Sequence, residues 1–335
     1  MKAVIWTAYG PPEVLQVQEV EKPTPGDNEV LICIRALTVT AGDVEVRKFT
    51  FPYSTPWIFW LIIRLVLGLR RPKRIRILGQ DLAGDVEAVG SAVTRWAVGD
   101  PVFAGTGFAL GAYAEYCCLP ETALIARKPP NIPYGEAAAV GLAGVEALRL
   151  IRRANLQPGH RILIIGAGGS IGTFAVQLAK HLGAEVTAVD STAKLDMLRA
   201  LGADHVVDYT REDCTKRGQT YDAILDVTST TRPAASKRAL RPTGIDVSDS
   251  MSWSAISRSL WAGMTKRKQP VQAPRPTRAE NLALLTELMA AGKLKTIVDR
   301  TYPLEQMAEA HRYVETGQKL GHVVITVGPT SPPSG

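Results

Sequence analysis

From about residue 130 the chain alternates short β-branched runs with longer stretches whose apolar positions recur every three or four residues. Runs at 162–165, 185–189, 205–208, 223–227 and 245–247, with a weaker one at 269–273, predict strands. Stretches at 136–154, 170–182, 192–201, 232–240, 252–262 and 278–291 predict helices. Repeated strand–helix units imply an α/β fold with a doubly wound parallel sheet and a ligand at the carboxyl ends of its strands. The first part of the chain reads differently. Runs at 1–7, 15–19, 29–37, 82–89 and 113–119 predict strands, punctuated by Pro11-Pro12, Pro25-Gly26, Gly90 and Gly99-Asp100. A strand at 296–300, a helix at 304–315 and a strand at 322–327 return to that β-rich pattern, and a Pro- and Ser-rich tail follows.

One stretch carries chemistry on its face. The apolar run Ile162 to Ile165 enters Gly166-Ala167-Gly168-Gly169-Ser170-Ile171-Gly172, a helical pattern follows, and the next strand ends in Asp190. Strand, glycine turn, helix and strand-terminal acid form a dinucleotide-binding signature, here spaced GxxGxxG. Gly166 and Gly169 would allow the tight turn and let backbone N–H groups approach a pyrophosphate. Gly172 would let the helix lie close to its strand.

Composition sets bounds. A chain of 335 residues with 46% apolar and 21% charged residues is an ordinary globular chain of about two domains. The net charge of +7 is modest, and no aromatic-interleaved basic motif accompanies it, so no nucleic-acid partner is expected. Cys33, Cys117, Cys118 and Cys214 have neither disulfide-framework nor CxxC spacing, and no signal peptide is read at the start; a cytoplasmic protein is expected. Residues 57–69 are about half a bilayer span and contain Arg64, which rules out stable membrane insertion there. The aromatic-to-basic segment 51–76 reads as a short amphipathic helix with three uses open: a substrate entrance, core packing, or contact with a membrane surface.

The stretches ILGQDLAGDVEAVG (77–90), VGDPVF (98–103), GAYAEY (111–116), the glycine turn and LGADHVVDY (201–209) resemble the medium-chain dehydrogenase/reductase superfamily, essentially end to end. Within it the chain is most similar to the zinc-free quinone oxidoreductase, or zeta-crystallin-like, branch. The resemblance implies a GroES-like catalytic domain from residues 1–125 and 297–335, a Rossmann cofactor domain over 126–296, and a homodimer. Zinc-dependent alcohol dehydrogenases of the superfamily have cysteine where this chain has Thr40, His-Glu where it has Gln80-Asp81, and cysteine near Leu142. A hydroxyl, an amide and a leucine are not a zinc set, so no metal is expected. Without a Lewis acid, alkoxide charge is poorly met, and a conjugated acceptor eases that demand. The expected reaction is hydride transfer to an activated C=C or a quinone, on a small apolar substrate. Two further readings stand: an alcohol or carbonyl oxidoreductase, and a non-catalytic nucleotide- or RNA-binding protein.

The resemblance places Thr40 by the nicotinamide and substrate, with Tyr53 as a nearby proton donor or pocket wall. Asp43 is expected to order the loop rather than to transfer protons. Glu146 stands where the family often has threonine. It either faces the nicotinamide amide or pairs with Arg149 or Arg152. Asp190 is placed to accept from the adenosine ribose hydroxyls and to repel a 2′-phosphate, which favours NAD(H). Lys194 and Tyr209 match NADPH-using relatives, which keeps NADP(H) possible, and Ser191 could bind a ribose oxygen.

Overall fold

The computed structural model describes residues 1–50, 68, 72, 76–228, 236, 238–248 and 277–328. Tyr53, the segment around it, the helix expected at 252–262, the strand expected at 269–273 and the tail past 328 lie outside the described residues.

The N-terminal part contains β1 (Lys2–Trp6), β2 (Leu15–Glu19), β3 (Glu29–Val39), α1 (Ala41–Lys48), β4 (Asp81–Val89), β5 (Pro101–Gly105), β6 (Tyr116–Pro120) and β7 (Leu124–Arg127). The connection to the middle is not the single helix expected at 136–154. It is α2 (Tyr134–Ala138), a π-turn (Val140–Gly144) and α3 (Val145–Arg153). A π-turn inside a helix marks a local constraint and is frequent at functional sites. Here Gly141 packs so closely on β4 and β5 that an added Cβ would stand 2.7 Å from the Ala104 carbonyl oxygen and 2.9 Å from Asp81 Oδ1.

The middle of the chain holds β8 (Arg161–Ile165), α4 (Ser170–His181), β9 (Glu185–Asp190), α5 (Leu195–Ala200), β10 (His205–Asp208), β11 (Tyr221–Asp226) and β12 (Leu240–Ser248). These five strands are parallel in the order β10-β9-β8-β11-β12. The order reverses direction between β8 and β11, which makes that crevice the switch point where such sheets bind ligands. Ile162, Leu163, Ile164, Ala223, Ile224 and Leu225 are fully buried. Both faces of these strands are covered, so their sequences are continuous apolar runs rather than alternating ones. Most of the helix expected at 232–240 lies outside the described residues, and its last position, Leu240, instead pairs with Tyr221 of β11.

After α6 (Arg278–Ala290), the chain forms β13 (Val298–Pro303), α7 (Met307–Glu315) and β14 (His322–Thr326). β14 pairs antiparallel with β3, so the last strand completes the sheet β13-β14-β3-β4-β5-β7, with β6 also on β3. Ala36, Ala83, Phe103 and Val324 of that sheet join the buried faces of α2 and α3 and then Ile162, Phe174 and Val186 in one continuous apolar cluster. The α/β class with a parallel sheet beside a β-rich sheet holds as expected.

Candidate active site

The glycine turn lies at the switch point. Gly166 follows β8 with φ +77°, and both its N–H and that of Ala167 donate to the Val189 carbonyl at 3.1 Å. Only glycine takes this conformation without strain, and a Cβ here would also stand 2.5 Å from the Thr228 methyl. At Gly172 the constraint is proximity, since a Cβ would meet the Gly166 carbonyl oxygen at 2.3 Å. Gly169 has φ −85° and does not use the left-handed region, so the turn depends on Gly166 alone of the two glycines expected to make it. Gly169 caps α4 without a side-chain hydrogen bond. The first-turn N–H groups of Ser170, Ile171 and Gly172 therefore stand at the positive end of a twelve-residue helix with no helical acceptor.

Asp190, at the end of β9, is turned inward. One carboxylate oxygen accepts from the Gly168 N–H at 2.8 Å and the other from the Ser191 N–H at 2.8 Å. Lys194 Nζ reaches the second oxygen at 3.2 Å, and the two side chains are only 7% and 6% exposed. Lys194 also donates to the Gly317 carbonyl at 3.1 Å. Tyr209 is 60% exposed, and its N–H donates to the Asp190 carbonyl.

The turn between α7 and β14 docks on this assembly, and no feature of the glycine motif pointed to it. Gly321 N–H donates to the Gly168 carbonyl at 2.9 Å. Ser170 Oγ donates to the Gly321 carbonyl at 3.0 Å while Lys319 Nζ donates to Ser170 Oγ at 2.7 Å and to Gly321 O at 2.6 Å. Lys319 is buried, and its burial, with the Lys194 charge close by, lowers its ammonium to about 8. Two lysines thus stand beside an uncapped helix N-terminus. The only sequence signal for Lys319 is its place between Gly317 and Gly321, just before the final strand.

On the catalytic side, Thr40 is the N-cap of α1 rather than a loop residue. Its Oγ accepts from the Asp43 N–H at 3.1 Å, and the Asp43 carboxylate accepts from the Thr40 N–H at 2.9 Å and the Thr40 hydroxyl at 2.7 Å. This is a reciprocal capping box. Asp43 is 1% exposed, and burial raises its carboxyl to about 6 although the Thr40 donors pull it down. Asp81 on β4 is equally buried and is raised well above the carboxylate range, by burial first and then by the Asp43 charge. Its Oδ2 accepts from the Thr38 hydroxyl at 3.2 Å. Oδ1 of each acid has no hydrogen-bond partner.

Thr40 Oγ and Gln80 Oε1 both lie within 4 Å of the point where a Gly42 Cβ would stand. Two of the three positions that the resemblance aligns with zinc ligands thus come together, and they present a hydroxyl and an amide. Among the described residues, no three His, Cys, Asp or Glu side chains are grouped to hold a metal ion. Glu146 is engaged by Arg149, whose Nε lies 2.8 Å from both carboxylate oxygens. The pairing with Arg149 on α3 is thus formed. His311 and His322 are buried and neutral, with burial lowering each to about 3.

Comparison with known proteins agrees with this geometry. Residues 26–130 match the alcohol dehydrogenase GroES-like domain family, and residues 201–325 match the zinc-binding dehydrogenase family. The chain is 30% identical to a chloroplastic quinone-oxidoreductase homolog of Spinacia oleracea, over 97% of this chain and 98% of that one. It is 28% identical to the chloroplastic NADPH-dependent alkenal/one oxidoreductase of Arabidopsis thaliana, over 97% of this chain and 79% of that one. The solved quinone oxidoreductase of Coxiella burnetii superposes with a TM-score of 0.82 at 28% identity, covering 98% and 99% of the two chains. With an end-to-end match at this identity, a switch-point glycine turn and a β-rich sheet closed by the last strand, the chain belongs to the medium-chain dehydrogenase/reductase superfamily, in its zinc-free quinone oxidoreductase branch.

Proposed function

We propose that this protein reduces activated alkenes or quinones with hydride from NAD(P)H and without zinc. The observation that carries the reading is the contrast between its two halves. The glycine turn and the bare N-terminus of α4 fit a dinucleotide diphosphate, while the Thr40–Gln80 donor set does not fit zinc. The names of the relatives, quinone oxidoreductase and alkenal/one oxidoreductase, support the same substrate class. The nicotinamide cofactor would supply the hydride. Reduction of a conjugated acceptor builds negative charge on the substrate oxygen, and the Thr40 hydroxyl, with Tyr53 as the other candidate, would be a polar group this chain offers there. The chain's own residues would do the rest. Ser170, Ile171 and Gly172 would direct their N–H groups at the diphosphate, and Lys319 would add a charge beside them.

NAD(H) is the favoured form of the cofactor, because Asp190 places a carboxylate at the end of β9. Lys194 neutralises part of that charge, so discrimination against NADP(H) should be moderate. The division into residues 1–125 with 297–335, and 126–296, belongs to the same reading and is supported by the sheet membership of β13 and β14. So does a cytoplasmic homodimer. Its four cysteines are free, and no described helix is long and apolar enough to cross a membrane.

The test is a steady-state panel of enones and quinones beside simple ketones and alcohols, run with both cofactors and a chelator. Turnover confined to the conjugated acceptors and indifferent to the chelator is expected. Turnover of alcohols or simple ketones alone, or loss of activity on chelation, would overturn the reading.

A further inference from the structure

We propose that Asp43 is a proton-holding residue behind Thr40, which passes a proton through the Thr40 hydroxyl to the substrate oxygen during reduction. The inference rests on the reductase reading above. The geometry is specific. Asp43 Oδ2 lies 2.7 Å from Thr40 Oγ, so one hydrogen bond joins the hydroxyl of a partly buried threonine to a fully buried carboxyl. The second carboxyl oxygen makes no well-aligned hydrogen bond, and the Tyr113 hydroxyl and the Gly79 N–H lie close to the carboxyl.

What surrounds Asp43 decides its protonation. From its own helix, Arg47 is fully buried, but its guanidinium is paired with Glu315 of α7. His311 of α7 is kept neutral by burial, and its Nε2 meets the Tyr113 hydroxyl at 3.0 Å. Tyr113, whose hydroxyl also acts on Asp43, is held protonated by burial and by the Asp43 charge. Asp81 of β4 faces it as a second buried acid raised well above its usual range. Among the described residues, then, Asp43 has no cation of its own. A carboxyl buried without a counter-ion avoids the cost of its charge by keeping a proton. The two Thr40 donors, then the Tyr113 hydroxyl and the Gly79 N–H, pull the other way, and the balance leaves Asp43 at about 6, where a proton can both leave and return.

The step balances without an oxidant or reductant. As the substrate oxygen takes the Thr40 hydroxyl proton, that O–H bond breaks and a new O–H bond forms on substrate. The Asp43 carboxyl proton moves to Thr40 Oγ, leaving a carboxylate. Between turnovers, water in the opened cleft returns a proton to Asp43 along the same path. A capping role alone would not need this proton, because an asparagine carbonyl can accept from the Thr40 N–H equally well.

Asp43→Asn and Thr40→Val are therefore compared with wild type by kcat–pH profile and solvent isotope effect on an enone or quinone, alongside the NMR titration of the 13C-labelled Asp43 carboxyl. Wild-type kcat should fall as pH rises through the titration of Asp43, with a solvent isotope effect. Asp43→Asn should lose about 10–100-fold in kcat with KM nearly unchanged, and its profile should lose that limb. Should Asp43→Asn fail to fold, Thr40→Val must lose the same limb. A wild-type-like profile in either folded variant, or a carboxyl titrating in the ordinary range, would overturn the proposal. If no conjugated acceptor is turned over, the reductase reading fails, and the NMR titration still tests Asp43 independently.

Discussion

Lys194 Nζ stands 3.2 Å from Asp190 Oδ1 with both side chains almost wholly buried, so the acid expected to reject a 2′-phosphate is held by a cation of the same turn. The two residues should therefore act on cofactor choice in opposite directions. Asp190→Ser removes the negative charge and frees Lys194, and the NADPH/NADH ratio of kcat/KM should rise at least about tenfold, equivalent to about 1.4 kcal/mol. Lys194→Ala should depress NADPH use more than NADH use. Because Asp190 also accepts the Gly168 N–H, Asp190→Asn serves as the control for turn geometry. An unchanged ratio in Asp190→Ser would remove Asp190 from cofactor selection.

Lys319 offers a separable test of stability against binding. Its folded pKa lies below the ordinary lysine value, so the folded state binds fewer protons than the unfolded chain between about 8 and 10.5. Stability from this group is therefore full above pH 10.5 and declines as pH falls to 8, leaving a penalty on the order of 3 kcal/mol at neutral pH. Lys319→Met should leave the thermal midpoint at pH 7 unchanged or raised, while NAD(P)H affinity, read by fluorescence titration, falls several-fold. A variant that binds cofactor normally would assign Lys319 to structure alone.

Gly172→Ala tests the close approach of α4 to its strand. With a Cβ 2.3 Å from the Gly166 carbonyl oxygen, the helix must shift outward, and overpacking of this kind costs about 1–3 kcal/mol. Chemical denaturation should show that loss, and cofactor affinity should fall with it because the first-turn N–H groups move. Normal stability and affinity together would show the turn to be more yielding than its geometry indicates.

His311 and His322 set the acid limit of the fold. Both are neutral and buried, with folded pKa values near 3 against an ordinary 6.5. Their contribution is complete above pH 6.5 and is lost as pH falls toward 3, on the order of 5 kcal/mol each. The urea midpoint should drop steeply between pH 6.5 and 4, and His322→Leu should flatten that slope. A midpoint independent of pH over this range would contradict their burial as neutral groups.

The parallel sheet was legible in the sequence because strands buried on both faces leave continuous apolar runs, as at Ile162–Ile165 and Ala223–Leu225. Strand β7 was not legible, since Leu124–Arg127 is four residues long and its burial does not alternate. Helix α1 was hidden by Gly42 and by valines at 44 and 46, residues of low helix propensity. Its capping box uses Asp43 in place of the more familiar Glu or Gln. The break in the helix expected at 136–154 follows from tertiary packing of Gly141 on Ala104, which no local pattern records. At the site, Gly166, Gly172 and Asp190 could be located by spacing. The inward turn of Asp190 onto the Gly168 N–H and the arrival of Lys319 could not, because the first is a contact between two elements 22 residues apart and the second joins residues 149 apart.

The pairing of β14 with β3 has a consequence for synthesis. Val39 faces Val323, so the Ala36–Val39 end of a long, largely buried strand, beyond the stretch that β6 covers, lacks its second partner until nearly the whole chain has left the ribosome. At about 5–20 residues per second that interval is on the order of tens of seconds. The five parallel strands in between come from one continuous stretch and can pair without waiting. The nascent protein should therefore carry a folded nucleotide-binding half beside an unclosed β-sheet edge, the form most exposed to edge-to-edge aggregation and to chaperone capture. Chains stalled before residue 322 should be more readily cleaved by protease in residues 29–127 than in residues 161–226.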